Sequence, residues 1–266
     1  MEPPKDLLED FTMGGQIEVT QWWKCQTGPA YHQAHSYSKD QIDENVARVQ
    51  ARLRNYYGET DTFLYDAIDK YPMKDLSVAV MGSQRPIYEA VCLAFGGASC
   101  TVIDFQPITI PPYPRYSTIT LDQYDANPID FDAAISISSF EHDGLGRYGD
   151  PLRPNGDIDM MKKMKCIVKP GGILYLSVPI AKDKIVWNMH RVYGRIRLPK
   201  LIEHWTLLEV FADYKMNRRW TGCDANKEGD YQPIFVLQNI EPNPQNNLEI
   251  LNQYLSQDFT PGSSCF

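Results

Sequence analysis

The sequence lacks several features that mark common functional classes. No apolar run approaches the roughly 20 residues that a membrane-spanning helix needs. Its 266 residues carry a formal net charge of −8, which argues against the phosphate backbone of nucleic acid as the main partner. The first residues have neither a basic start nor an apolar stretch, so we expect no signal peptide.

Paired cysteines are missing as well. None of the six cysteines belongs to a C-x-x-C pair, so we interpret them as reduced thiols of a cytoplasmic protein. Cys25, His32 and His35 could act as metal ligands, but no fourth ligand is evident near them. We therefore predict no metal site and assign these side chains to a packed cap.

Composition and residue order indicate three regions. Hydrophobic residues make up 43% and charged residues 23% of the chain, as in an ordinary globular enzyme. Residues 1–72 are a predicted N-terminal aromatic cap with helices, because rings such as Trp22 and Trp23 would be costly to expose together. Residues 73–240 are the predicted catalytic domain. Residues 241–266 are rich in Pro, Asn and Gln, which predicts a loosely ordered tail.

The central domain is organised around a strand–turn–helix–strand unit. The apolar run Ser77–Met81 is short and bounded by turn residues, which predicts a buried parallel strand. Gly82 begins the turn and would let a ligand approach the backbone. Asp104 closes the second strand, 22 positions after Gly82, where an acid would bind a ribose diol. The unit predicts a nucleoside-type ligand, and the alternative is an ordinary unit with a solvated Asp104.

Helices and strands alternate along the chain. In front of the central unit we predict a helix over Lys39–Tyr57, capped by Ser38. The later segments are, in order, a proline-rich loop, two strands, a mobile glycine-rich loop, a helix and three strands: residues 105–116, 117–121, 131–139, 144–156, 157–168, 173–178, 206–211 and 231–237. This alternation predicts an α/β fold whose sheet is mostly parallel, with helices on both faces. Ligands of such sheets bind beyond the carboxyl ends of the strands.

The central domain resembles the class I S-adenosylmethionine-dependent methyltransferases. Four segments carry the resemblance: Val78–Ser83, Asp104, the triplet Phe140-Glu141-His142 after the fourth strand, and Lys169-Pro170-Gly171-Gly172 before the fifth. The resemblance implies a Rossmann-like class I methyltransferase fold with a mostly parallel seven-stranded sheet. It also implies S-adenosyl-L-methionine as the cofactor.

Two further segments resemble a narrower group. Residues 141–151 and 190–194 are similar to the branch catalogued as domain of unknown function 268. Bacterial members of that branch tend to occur with surface-polysaccharide genes, so this resemblance implies a sugar-like or glycan acceptor.

The resemblance implies six cofactor-binding residues: Gly82, Ser83, Asp104, Asp122, Ser138 and Glu141. Asp104 would bind the ribose hydroxyls, Asp122 would lie near the adenine and Ser138 near the methionine part. Methyl transfer is an in-line displacement in which the enzyme positions the reactants and can supply a base. His142 is the candidate base, because an unperturbed imidazole pKa of about 6.5 suits proton removal at neutral pH.

Other candidate residues lie near His142 in the sequence. Asp143 would orient His142, and His190 is the second candidate base. The predicted substrate-binding residues are Arg147, Tyr148, Arg191 and Tyr193. An alternative for His142 is that it only covers the cofactor, and Arg191 would suit an anionic group of the substrate.

One departure from the family pattern leaves two alternative functions. The turn contains one glycine, Gly82, where the family usually has two or three. The first hypothesis is a methyltransferase that O-methylates a small hydroxylated or sugar-like acceptor, and the alternative is a catalytically inactive methyltransferase-fold binding protein. The same turn disfavours a nicotinamide oxidoreductase, which needs G-x-G-x-x-G. The expected partner is a small-molecule substrate, with no nucleic acid and no membrane, and a homodimer stays open.

Overall fold

The computed structural model describes residues 3–21, 35–212 and 232–255. Its helices are α1 (Leu8–Phe11), α2 (Lys39–Gln50), α3 (Glu59–Lys70), α4 (Tyr88–Ala94), α5 (Leu121–Ala126), α6 (Gly156–Ile167), α7 (Arg197–Leu201) and α8 (Pro244–Leu255). Its strands are β1 (Glu18–Gln21), β2 (His35–Ser36), β3 (Ser77–Met81), β4 (Ser99–Asp104), β5 (Ile108–Thr109), β6 (Tyr116–Thr120), β7 (Phe131–Ile137), β8 (Val168–Ser177), β9 (Lys184–Trp187), β10 (His190–Val192), β11 (Thr206–Phe211) and β12 (Ile234–Gln238). Trp22, Trp23, Cys25 and His32 lie outside the described residues.

The main sheet has seven strands among the described residues, in the order β11-β12-β8-β7-β3-β4-β6. Strands β6, β4, β3, β7 and β8 are parallel to one another. Only β12 of these seven runs against its neighbours, pairing antiparallel with both β8 and β11. The predicted α/β fold, a mostly parallel seven-stranded sheet with helices on both faces, is confirmed.

The central strand β3 is buried on both faces. Ala79 and Met81 pack into one apolar cluster, which includes Trp205 from the segment before β11. Val78 and Val80 pack into a second cluster, together with side chains of α2, α3 and α4. Because helices cover both faces, polar side chains of the central strands can reach a ligand only beyond the strand ends.

The start of α2 follows the sequence signals, but its end does not. Ser38 caps the helix: its side chain accepts from the Gln41 N–H, and the Gln41 side chain accepts from the Ser38 N–H. The helix was predicted to reach Tyr57, yet it ends at Gln50 because Arg52 adopts a left-handed φ of 55°. Leu53, which lies beyond this end of the helix, is 48% exposed.

Two parts of the structure have no counterpart in the prediction. Residues 184–187 and 190–192, for which no strand was predicted, form β9 and β10, which join β1 in a small sheet. There the Phe11 and Trp187 rings meet edge to face at 5.1 Å. Residues 244–255 were predicted as a loose tail, but they form α8, which packs against β11 with Leu251 buried. None of the helices in the described ranges is long and apolar enough to cross a bilayer.

Candidate active site

The carboxyl ends of β3, β4 and β7 bring several predicted site residues to one edge of the sheet. Gly82 follows β3, Asp104 ends β4 and Ser138 follows β7. The three strands are neighbours, with β3 between β4 and β7. The Ser83 N–H donates to Asp104 Oδ2 at 2.7 Å, so the turn after β3 is bonded directly to the tip of β4.

Gly82 is required by a contact within the protein. Its φ is +71°, a conformation that glycine adopts at no steric cost. A Cβ at this position would lie 2.5 Å from Ser139 Oγ, far inside van der Waals contact. The close approach to Gly82 that was predicted for a ligand is therefore made, in this structure, by the Ser139 side chain.

Asp104 shapes the turns at this edge. Its two carboxylate oxygens accept backbone N–H groups of Ser83 and Gln106, each at 2.7 Å. Burial raises the pKa of Asp104 above its ordinary value, while these hydrogen bonds oppose the rise. Each carboxylate oxygen has two lone pairs, so Asp104 keeps acceptor capacity for a ligand hydroxyl.

A second acid, Glu89, lies under the same turn. This α4 residue is fully buried, and burial raises its pKa to about 7. The Tyr116 hydroxyl lies 3.4 Å from Glu89 Oε1, and the nearby Ser83 side chain opposes the rise in the Glu89 pKa. Glu89 is not among the residues predicted from the sequence, although a glutamate inside the apolar run Tyr88–Leu93 is a visible signal of a buried polar site.

Ser138 joins three segments beyond the end of β7. Its hydroxyl donates to Glu141 Oε1 at 2.5 Å and accepts from the Gln232 side-chain amide at 3.1 Å. The Tyr57 side chain lies beside Ser138 as well, and the serine hydroxyl opposes the rise in the Tyr57 pKa that burial causes. Tyr57 and Gln232 were not predicted as site residues, because nothing in their local sequence points to a residue more than 80 positions away.

His142 is held in a neutral state. Its Nδ1 donates to the Met189 carbonyl at 2.6 Å, which leaves Nε2 as the acceptor nitrogen. Burial first, and then the nearby Arg147 cation, lower the pKa of His142 to about 3. The Met189 carbonyl therefore orients the ring, the role that was predicted for Asp143. A pKa this low makes His142 a weak base at neutral pH.

The loop over residues 144–156, predicted to be mobile, is pinned by one carboxylate. Asp150 accepts from the backbone N–H groups of Gly144 at 2.8 Å and of Gly146 and Tyr148 at 3.2 Å each. Leu145 in the same loop is buried, with 1% of its surface exposed. The loop thus folds against the protein because three of its N–H groups share one acceptor.

Arg191 and Tyr193 lie in the interior of the protein. Arg191 is fully buried and donates to the Asp143 and Pro154 carbonyls at 2.5 Å and 3.1 Å. The Tyr193 hydroxyl donates to buried Asp157 at 2.9 Å. Through these contacts Arg191 and Tyr193 hold the loop that carries the site, and the substrate-binding role of both residues stays a prediction.

The remaining predicted residues are more accessible. Arg147 donates to the Met189 carbonyl at 3.2 Å and lies over the Tyr148 ring, whose hydroxyl accepts from Gln84. The ring centroids of His190 and His142 are 6.3 Å apart, and burial lowers the pKa of His190 to about 4. Asp122 is exposed in the first turn of α5, just beyond β6.

The acceptor groups at this edge fit an adenosyl amino acid in part. Within the described ranges, the buried Gln232 Oε1 has no hydrogen-bond partner, and Asp104 keeps free lone pairs. Such acceptors suit ribose hydroxyls and an ammonium group. The contact of Ser139 with the Gly82 position is the feature that fits least, because the serine side chain lies where a ligand would approach the turn.

Solved structures of similar shape include S-adenosylmethionine-dependent methyltransferases. The N-methyltransferase NodS from Bradyrhizobium japonicum WM9 is 14% identical, with a TM-score of 0.45, over 70% of this chain and 95% of that chain. The 1,6-didemethyltoxoflavin-N1-methyltransferase of Burkholderia thailandensis, solved with S-adenosylhomocysteine, is 12% identical, with a TM-score of 0.45, over 76% and 87%. The [4+2]-cyclase SpnF is 12% identical, with a TM-score of 0.47, over 85% and 99%.

The search of curated proteins found no match. The profile of one protein family matches residues 75–231, which include Gly82, Asp104 and Ser138 but not Tyr57 or Gln232. Because this match spans more than half of the chain, the protein belongs to the family described as "Caenorhabditis protein of unknown function, DUF268".

Proposed function

We propose that the protein is a cytoplasmic S-adenosylmethionine-dependent methyltransferase that O-methylates a small hydroxylated or sugar-like acceptor. The fold supports this proposal, because six of the seven strands of the main sheet run in the same direction and their carboxyl ends form one edge. The observation that carries it is the bond between the Ser83 N–H and Asp104. This bond holds an acid beside the turn after the first central strand, where a ribose diol would be bound.

In this proposal, the residues of the edge bind and orient. Gly82 and Ser83 form the floor under the cofactor, Asp104 accepts from the ribose hydroxyls, and Asp122 lies beside the adenine. Ser138 lies toward the methionine part and the acceptor. When bound, S-adenosyl-L-methionine supplies an activated methyl group, and the protein contributes the positioning that such a displacement needs.

The acceptor would lie near His142 and the loop above it. Tyr148 packs edge to face on the His142 ring at 5.5 Å, and Arg147 lies over Tyr148 at 5.0 Å. These three side chains are only partly buried. They present hydrogen-bonding groups and a ring face together, a combination that suits a polyhydroxylated molecule.

Calorimetric titration with S-adenosylmethionine and S-adenosylhomocysteine tests the proposal. We expect binding by the wild-type protein and weaker binding by Asp104→Ala. Asp130→Ala is the matched control, because exposed Asp130 precedes β7 at the opposite end of the sheet. A methyl-release assay against nucleotide sugars and glycans then identifies the acceptor. No binding by the wild-type protein at millimolar ligand would remove the enzyme hypothesis.

A second function, a methyltransferase-fold binding protein without turnover, is favoured by one observation. The Ser139 hydroxyl lies where a ligand would otherwise approach Gly82. If this contact excludes the cofactor, Ser139→Gly should create S-adenosylhomocysteine binding that the wild-type protein lacks. Equal binding by both proteins would disfavour this second function.

A further inference from the structure

The hydrogen bond between Ser138 and Glu141 is arranged so that a proton can pass from the serine to the glutamate. Gln232 donates to Ser138 Oγ at 3.1 Å, so the single Ser138 proton is directed at Glu141 Oε1, 2.5 Å away. Gln232 is itself held, because its backbone carbonyl accepts from the Thr60 hydroxyl at 2.7 Å. The direction of the Ser138–Glu141 bond is therefore set by contacts from two other segments.

Ser138 is also held at an unusual backbone geometry. Its φ is +51°, in the left-handed region that a residue with a Cβ rarely adopts. Its own N–H donates to the Ser177 carbonyl of β8 at 3.0 Å, which secures this conformation. Ser138 is half-buried whereas Glu141 is fully buried, so Ser138 is the member of the pair that an acceptor molecule can touch.

Glu141 has the properties of a proton acceptor. Its Oε2 is buried and, within the described ranges, has no hydrogen-bond partner. Burial raises the pKa of Glu141 to about 7, and Ser138, Arg147 and Arg191 oppose the rise. A carboxylate tuned to the working pH is suited to general base catalysis. The other titratable groups around it are Tyr57, His142, Asp143 and Tyr148.

We propose that Ser138 and Glu141 form a proton relay for an acceptor hydroxyl. This inference rests on the proposed methyltransferase function and gives Glu141 a different role from the cofactor contact predicted above. As the acceptor oxygen would form its bond to the methyl carbon, the carbon–sulfur bond of the donor would break with its electron pair left on sulfur; the acceptor proton passes to Ser138 Oγ, and the Ser138 proton passes to Glu141 Oε1. The relay removes the acceptor proton and converts the Glu141 carboxylate into a carboxylic acid. Ser138 touches the acceptor, and Glu141 acts through Ser138.

An infrared pH titration tests the relay without an identified acceptor. The wild-type protein should show carboxylic-acid C=O bands that disappear as the pH rises through about 7. Glu141→Gln should remove one band. Glu89→Gln is the matched control, because Glu89 is equally buried and should account for another band. Ser138→Ala should raise the midpoint of the Glu141 band, since the serine hydroxyl stabilises the carboxylate. An unchanged midpoint would overturn the relay.

Ligand binding and kinetics separate the relay from the proposed function. Glu141→Gln should bind S-adenosylhomocysteine within about threefold of wild type. With the acceptor found by methyl-release screening, Glu141→Gln and Ser138→Ala should lower kcat by about 10²–10⁴-fold, and the limb of the kcat–pH profile near pH 7 should vanish in Glu141→Gln and persist in Glu89→Gln. A tenfold loss of binding by Glu141→Gln, or a retained limb in the kcat–pH profile of that variant, would overturn the relay alone. No binding by the wild-type protein would overturn the proposed function itself.

Discussion

The Asp157→Asn variant should unfold at a markedly lower temperature than the wild-type protein. Asp157 of α6 is fully buried and accepts two Arg197 N–H groups at 2.8 Å and 2.6 Å. It also accepts the Tyr193 hydroxyl at 2.9 Å and lies 3.7 Å from Arg191 Nε. The neutral amide would leave two buried guanidinium cations without their counter-charge, which costs about 3–5 kcal/mol.

Thermal unfolding monitored by circular dichroism measures this loss. In a chain of this size, each kcal/mol shifts the Tm by about 2–4 °C, so we expect a decrease of about 6–20 °C. Asp159→Asn on the same helix is the control, because Asp159 is more than half exposed and pairs with Lys162 at only 3.8 Å. Its effect should stay below about 1 kcal/mol. Equal Tm values for the two variants would refute the assignment of a stabilising charge at Asp157.

The pH dependence gives an independent check on the same residue. Burial alone would raise the pKa of Asp157, but Arg191 and Arg197 lower it below its ordinary value. A lowered pKa in the folded state stabilises the protein above the pKa of the unfolded chain, about 4. That stabilisation disappears as the pH falls through the folded-state value. The difference in Tm between wild type and Asp157→Asn should therefore shrink in acid and be constant from pH 5 to 7.

Three further predictions concern the edge of the sheet. Gly82→Ala should lower the free energy of unfolding in urea by at least about 1 kcal/mol, because a Cβ would meet Ser139 Oγ, and adding Ser139→Gly should recover part of it. No recovery in the double variant would mean that backbone strain alone is responsible. Asp104→Ala should weaken S-adenosylhomocysteine binding by about 1–3 kcal/mol, and unchanged affinity would contradict the ribose assignment. His142 should show no imidazole titration between pH 5 and 8 by NMR, since its pKa is held near 3, and an inflection near 6.5 would contradict this.

The elements that the sequence predicted well have complete local signals. Ser77–Met81 forms the central strand over the predicted residues, because a short apolar run between turn residues leaves few alternatives. The start of α2 is equally local, since Ser38 and Gln41 cap it within one turn. The end of α2 was missed because the left-handed conformation of Arg52 has no glycine to announce it.

The candidate site could be located from the sequence, but its internal chemistry could not. The carboxyl edge follows from strand alternation, which is why Gly82, Asp104 and Ser138 were predicted to be neighbours. The neutral state of His142 depends on the Met189 carbonyl, 47 positions away, and on burial by other segments. Its predicted role as a base used the pKa of an imidazole in water, which the folded protein does not preserve.

The order of residues by itself determined an alternating α/β chain, the carboxyl edge where a ligand would bind, and the acids that reach that edge. Those features depend on periodicity and turn chemistry, which act over a few residues. Tertiary packing decided which side chains keep their protons and which are locked inside: Glu141 is buried beside Ser138, and Arg191 is buried against loop carbonyls. Desolvation and hydrogen bonding act between segments distant in the chain, so they exist only once the chain has folded.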